Sequence, residues 1–479
     1  MNLMFWFGTI TFIGTYILIA SEKINKTAAA LLGASVMLLF ILPGPEHSPI
    51  PKSVAKTTTQ IETVSTTSTV AATDAITTPE LAEQHNLYSK LDAYSRYVNF
   101  DVIFTLAGMM ILVNILSGTG LFQYVAIKSA KIAKGSPIRT LILLVISTAV
   151  LSAFLDNVTT ILLIVPVTLV VTAELGVPVM PFLMAETMAS NIGGTATLIG
   201  DPPNLIIGSA ANLSFMDFMI NMFPVVTVIM ILYCIALVLY YGKRMKVTVE
   251  QRARVMEINE KAAITDPVNM KRGGIVMILT IIGFLLHGML EIQPSVVAMS
   301  GAALGLVICK VDLDHMLEKV EWNTLFFFLG LFILVSGAEE VGLMLEFDKI
   351  LHFMADWNPL VIILIIMWVS GVAAMFMNNV SYTAAVVAII SAFIVATPIF
   401  AESIEMTRLL WWGLALSVCL GGNGALTGAA ANLVTVGIAS KAGVHISYGT
   451  FMRYGIPVTI GSLLIASIDI IVRYFFIAG

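Results

Sequence analysis

Charge is what this sequence has least of: Asp, Glu, Lys and Arg together make up 11% of its 479 residues. Soluble domains carry roughly a quarter, so that class is excluded. With 58% hydrophobic residues and a mean hydropathy of +0.94, the chain reads as a polytopic helical membrane protein. A net charge of −5 and the lack of any basic block exclude a nucleic-acid partner. Cysteine is scarce as well. Cys234, Cys309 and Cys419 stand singly in apolar segments and read as small hydrophobes rather than disulfides or metal ligands. No HExxH occurs, Leu198 denies Asp201 a GxGD pattern, and no histidine stands near the polar breaks described below. An enzyme is therefore not expected, nor is a cofactor. The opening MNLMFWFGTI has no basic n-region, so a cleaved signal peptide is not expected either.

What the sequence does have is a set of interrupted hydrophobic runs. Segments 3–20 and 27–43 are joined by a short link containing Lys23 and Lys26, which the positive-inside rule puts in the cytoplasm. The threonine-rich stretch 44–97 has few large apolar residues and reads as an external, largely flexible loop. A third span covers 99–124, and Lys128, Lys131, Lys134 and Arg139 place the loop after it inside. The next hydrophobic run is interrupted at Asp156-Asn157 into arms of about 15–17 residues, short for a crossing of roughly 20. A re-entrant hairpin with its tip at 155–159 fits. A broken helix follows over 181–212, then a span over 215–241. Linker 242–273 carries eight basic residues and is expected in the cytoplasm, either as an interfacial amphipathic helix or as solvated chain.

The broken helix holds SNIGGTATLIGDPPN, 190–204. Glycines loosen it, and Pro202-Pro203 remove two backbone donors. In hydrocarbon such a break survives only inside protein or beside water. Asp201 within it is a functional-site candidate by its depth alone.

The second half repeats this plan. FLDNV at 154–158 is echoed by FMNNV at 376–380, GGTATLIGDPPN at 193–204 by GGNGALTGAAAN at 421–432, and 98–122 by 320–344. The expected fold is all-α, with two inverted-topology repeats, 1–241 and 274–479, each of about five transmembrane helices (one broken) and a re-entrant hairpin. Four irregular tips then converge near the bilayer midplane. They supply Asp156, Asn157, Thr159, Thr160, Thr195, Thr197, Asp201 and Asn204 from the first half. Asn378, Asn379, Ser381, Asn423, Thr427 and Asn432 come from the second. Such oxygens suit a hard cation. The acids lie in one half only, since Asn378 and Ala429 replace them in the other, and none of the four motifs contains Lys or Arg.

Each residue has a plainer reading. Asp201 could cap a helix start, Asp156 could form an Asx turn, and the Asn and Thr residues could satisfy broken backbone. Glu186, one turn before Ser190, is open between a proton path and an interface. His287 with Glu291 could sense pH or mark a wetted helix end.

FLDNVTT at 154–160, SNIGGTATLIGDPPNLIIG at 190–208, FMNNVSY at 376–382 and GGNGALTGAAANLVTVG at 421–437 resemble the motifs of NhaD-type sodium/proton antiporters. That family belongs to the ion transporter superfamily, with arsenite pumps and dicarboxylate carriers. The resemblance implies an inner-membrane homodimer in the lipid bilayer that exports Na+ or Li+ against H+. It implies that Asp156 and Asp201 carry the exchanged ions, with Asn157 and Thr195 completing a Na+ site. Thr159, Ser190, Asn191 and the second-repeat tips would line the path. A carrier of an anion or neutral oxyacid is the alternative. The carboxylate at the first tip departs from the dicarboxylate carriers.

Overall fold

The computed structural model describes residues 3–21, 24–42, 97–343, 346, 354 and 357–478; the threonine-rich segment 44–96 lies outside them. The described residues are helical throughout, and ten helices are long and apolar enough to cross a membrane.

In the first half the helices are α1 (Leu3–Ser21), α2 (Lys26–Phe40), α3 (Phe100–Ser117), α4 (Leu121–Ile132), α5 (Pro137–Phe154), α6 (Asn157–Leu175), α7 (Met180–Gly194), α8 (Pro202–Ala210), α9 (Phe215–Asn221) and α10 (Phe223–Tyr241). After α11 (Val249–Glu257) in the linker come α12 (Pro267–Leu286), α13 (Pro294–Cys309), α14 (Leu313–Glu318), α15 (Trp322–Glu340), α16 (Pro359–Phe376), α17 (Asn379–Ala396), α18 (Pro398–Ala401), α19 (Ile404–Gly421), α20 (Ala430–Lys441) and α21 (Tyr448–Ala478). The helix order repeats: α5, α6, α7 and α8 correspond to α16, α17, α19 and α20. Both expected breaks fall where glycine, proline and asparagine accumulate.

Three boundaries differ from the sequence reading. The span expected over 99–124 divides into α3 and α4 at Gly120, which takes φ +80° and lies against the backbone of Ala263, leaving no room for a side chain. The hairpin arms run to 18 and 19 residues, long enough by length alone to cross. Leu141 near the start of α5 and Leu175 at the end of α6 share one buried cluster, an antiparallel pairing common to a hairpin and to two crossings. Finally, α12 starts at Pro267 rather than 274, because Asp266 caps it through the N–H groups of Val268 and Asn269.

The linker is neither free nor fully solvated. Val255 is completely buried in the cluster formed by α4, α5, α6 and α7. Lys131 pairs with Glu260 at 2.6 Å and donates to the carbonyl of Ile258 at 3.0 Å.

The chain forms two compact units that cut across the repeats: 1–99 with 327–342, and 100–326 with 343–479. In the first, α1 packs on α2, and Gly330 lies against the backbone of Ala30, where a Cβ would come within 2.8 Å of the carbonyl carbon. In the second, α7 and α19 are the most enclosed helices, and every residue of α7 from Phe182 to Gly194 is buried. Both approach a neighbour at backbone contact. Gly193 meets Ala149 of α5, and Gly421 meets Gly371 of α16. Small residues that admit such contact are what membrane helices use to associate.

Candidate site at the two helix breaks

At the first hairpin tip Asp156 is the N-cap of α6. Its Oδ1 accepts the Thr159 N–H at 2.8 Å and its Oδ2 the Thr159 hydroxyl at 2.5 Å, while Thr160 Oγ1 donates to its carbonyl at 3.0 Å. Asn378 caps α17 at the equivalent place, accepting the N–H two residues on, that of Val380, at 3.2 Å. Half-buried Asp156 also borders a cavity of about 10 Å³ with Thr105, Met109, Phe154 and Leu205, room for about one water. The residue after each cap, Asn157 and Asn379, is buried.

The helix breaks are closed by two equivalent asparagines. Asn204 Nδ2 donates to the carbonyls of Thr197 (2.8 Å), Thr195 and Gly194 (both 3.3 Å). Asn432 Nδ2 donates to those of Ala425 (2.9 Å) and Gly422 (2.8 Å), at the same sequence offsets of 7 and 10. Thr197 adds bonds to Ala153 O and from Gly200 N–H, and Thr427 donates to Phe376 O at 3.0 Å. Freed backbone groups thus find partners without water, as burial demands.

Asp201 stands at the N-cap position of α8 yet makes no capping bond. Its backbone is extended, φ −139°, as is that of its counterpart Ala429 at −141°. Pro202 has no N–H to offer, and the carboxylate, 1% exposed, turns inward.

A one-way chain of amides leads to it. The Asn432 amide nitrogen is committed to carbonyls, so its oxygen must accept. It accepts from Asn191 Nδ2 at 3.0 Å, which is shared with Asn423 Oδ1 at 2.9 Å. Asn191 Oδ1 then receives Asn157 Nδ2 at 3.2 Å, and the same nitrogen lies 3.3 Å from Asp201 Oδ1. Asn379 Nδ2 reaches Asp201 Oδ2 at 3.2 Å. One asparagine from each hairpin tip therefore faces the carboxylate. These contacts sit at the long end of the usual ~2.7–3.2 Å, which leaves both oxygens acceptor capacity. Among the described residues no cationic side chain takes part.

Each segment read singly gives no sign of Cys419 in this network, and the sequence leaves Glu186 open between a proton path and an interface. Cys419, a small hydrophobe by its segment, points its thiol at Asn204 Oδ1 (3.3 Å) and at Asp201. It occupies the place in the second repeat that Asn191 holds in the first, which superposing the two glycine motifs would have revealed. Glu186 is fully buried, with Thr168 Oγ1 at 2.7 and 2.9 Å from its two oxygens.

The structure brings together Asp201, Asn157, Asn191, Asn379, Asn423 and Asn432. Asp156, Thr159, Thr160 and Asn378 serve the hairpin tips, while Thr195, Thr197, Asn204 and Thr427 serve the breaks. Thr195 donates to Asn191 O at 2.8 Å, and Ser190 bonds Ser152 at 3.0 Å and Asn157 O at 3.3 Å. Ser381 is buried on α17. Of the four expected Na+ ligands, Asn157 joins Asp201, Thr195 bonds Asn191 O of its own helix and the Cys419 thiol beside Asp201, and Asp156 bonds within its own tip. His287 is buried, with Nε2 accepting the Phe215 N–H at 2.9 Å and Nδ1 facing Ile292 O at 3.0 Å, a clip between backbone segments. Among the described residues no three His, Cys, Asp or Glu side chains converge as a metal group would need.

Known proteins share this plan. Residues 16–416 match the family model described as CitMHS, citrate transporter. A 46 kDa membrane protein of Mycobacterium leprae is 37% identical, over 97% of either chain. An uncharacterized transporter of Mycobacterium tuberculosis is also 37% identical, again over 97% of each. The mouse P protein is 28% identical over 79% of this chain and 54% of its own length. Among solved structures, the YdaH transporter of Alcanivorax borkumensis, described as having an unusual topology, matches with a TM-score of 0.60. It covers 93% of this chain and 98% of that one at 13% identity, a likeness of fold.

Proposed function

The chain belongs to the CitMHS family of membrane transporters, and on that premise we propose that it exchanges Na+, and Li+, for H+ at the Asp201 carboxylate. The observation that carries this is the environment of Asp201: 1% exposed, faced by an asparagine from each hairpin tip, with no Lys or Arg in the network. A hard monovalent cation is suited to carboxylate oxygens, and the Asn157 and Asn379 amides, which present nitrogen to Asp201 here, would turn their oxygens to it on binding. The amides donate hydrogen bonds to Asp201 but carry no charge, so its negative charge stays unneutralised, and either a proton or a metal ion can neutralise it. Cation and proton then compete for one group, which is sufficient for antiport. The site facing the cytoplasm binds Na+ as Asp201 loses its proton, with Asp156 as the second acid at the adjoining tip. The tip-bearing helices then move, and external protons displace Na+. The reading includes inverted repeats 1–241 and 274–479, a homodimer in a bacterial inner membrane, an external N terminus and a cytoplasmic linker 242–273. Basic residues Lys128, Lys131, Lys134 and Arg139 support that orientation.

A second reading, carriage of a carboxylate such as citrate, has two supports: the family's own description, and Asn423 Nδ2, a buried donor without a partner. An unpaired buried N–H favours an incoming acceptor. One experiment separates the two. Proton flux is followed in proteoliposomes on adding Na+, Li+, K+ or citrate in turn, for wild type and Asp201→Asn. We expect Na+ and Li+ to drive proton flux in wild type and not in the variant. Citrate uptake with no response to any monovalent cation would overturn the exchanger and install the carboxylate reading.

A further inference from the structure

Glu186 is unused by the reading above. It lies on α7, in the same buried helix as Asn191, and its side chain is completely enclosed. One hydroxyl, that of Thr168 on α6, serves both of its oxygens. Tyr233 of α10, whose hydroxyl lies 3.4 Å from Ala185 O, is the titratable neighbour that faces it. Among the described residues, none of the elements packed on α7 (α5, α6, α10, α19, α20, α21) pairs a cation with it. An ionised carboxylate in apolar surroundings with one donor is costly. An ionisable group enclosed at this depth is a candidate for a functional role.

Its position supplies one. Thr187, Ser190 and Asn191 follow on adjacent faces of α7, at most about 7.5 Å along the axis at 1.5 Å per residue. Thr187 bonds Thr435 of α20 at 2.7 Å, Ser190 bonds Ser152 of α5 at 3.0 Å, and Asn191 opens the amide chain to Asp201. In the other direction, α7 begins after Gly176, whose backbone lies against the side chain of Gln251 in the linker. Glu186 therefore sits between the linker face and the asparagine network, joined to the latter by a buried polar stripe.

We propose that Glu186 is a second proton-binding site, which takes up one proton from the linker side and returns it there in each transport cycle. The step is a simple exchange, carboxylic acid to carboxylate plus a proton delivered to water. The proposal rests on the reading of the protein as a proton-coupled transporter, and its test does not depend on the cargo.

Dicyclohexylcarbodiimide adds to a protonated carboxyl in an apolar pocket and leaves a stable acylurea. The purified full-length protein, in detergent and in liposomes, would be treated with it between pH 5.5 and 9, and the peptide holding Glu186 analysed by mass spectrometry. Labelling at Glu186 is expected to fall with rising pH, by about tenfold per pH unit beyond its midpoint. Labelling that stays flat with pH, or never occurs, would overturn the proposal. In proteoliposomes, Glu186→Gln keeps an oxygen for Thr168 and should fold, yet lose the pH dependence of cargo flux. Glu186→Asp should restore a pH dependence with a displaced midpoint. If Glu186→Gln keeps the wild-type pH profile of cargo flux, the site is structural. Failure of all monovalent cations to move protons would refute the exchanger while leaving the labelling result to decide on Glu186.

Discussion

Asp156 offers a test in which stability and transport can be pulled apart, because the second repeat contains its own control. At the first tip Asp156 holds α6 through the Thr159 N–H at 2.8 Å and the Thr159 hydroxyl at 2.5 Å. At the second tip Asn378 does the backbone part of the same work. Asp and Asn are equivalent N-caps, and loss of either to Ala costs about 0.5–2 kcal/mol. The Thr159 hydroxyl bond differs: to a charged acceptor it contributes about 1.5–3 kcal/mol, to a neutral one about 0.5–1.5. Asp156→Asn should therefore cost about 1 kcal/mol, and Asp156→Ala about 2–5 kcal/mol, in thermal unfolding of the detergent-solubilised protein. If the acid also carries charge through the cycle, Asp156→Asn should abolish proton flux in proteoliposomes while folding nearly as well as wild type. Full exchange by a stable Asp156→Asn would confine the residue to capping. Equal destabilisation by Asn and Ala would refute the cap geometry and make the charge itself the stabilising element.

The equivalence of the two breaks is testable through Asn204→Ala and Asn432→Ala. Each leaves at least two buried carbonyls unpaired, so each should destabilise by about 2–4 kcal/mol, read as a lowered Tm; a neutral effect at either position would show that its loop is held otherwise. At the linker, the Lys131 ammonium, with that of Lys128, holds the Glu260 carboxyl below its ordinary value near 4.5. A lowered folded-state value means the contribution is complete above the ordinary value and is lost as the pH falls through the lowered one. Limited proteolysis of the linker should thus be slow at pH 7 and faster below about 4.5, and Lys131→Ala should abolish the difference.

The repeats and helix breaks could be read from the sequence because a broken membrane helix must collect residues that either tolerate missing hydrogen bonds or replace them. Gly193, Pro202 and Asn204 do this in one half, and Gly421 and Asn432 in the other. What the sequence could not show is direction. Asp156 and Asp201 look alike as acids before a helix start. One caps and the other does not, because Thr159 follows the first at capping distance while Pro202 and Pro203 follow the second. The role of Cys419 depended on a partner, Asn204, from the opposite repeat. The linker read equally well as solvated chain, since burial of Val255 depends on the surface that α4 to α7 offer it.

The division into compact units has a consequence for biogenesis. Ala30 and Met37 of α2 are buried, and they lie against two glycines of α15: the Ala30 backbone against Gly330 and the Met37 side chain against Gly337. Ribosomes deliver α2 long before α15, with the whole of the first repeat and the linker in between. The opening helices must therefore wait in the lipid with an uncovered small-residue face, and the unit they begin is finished only when the second half is being inserted. A gene fragment ending at the linker would encode a repeat in sequence but not a folding unit, and the two halves expressed as separate polypeptides would have to find each other in the membrane to complete either one.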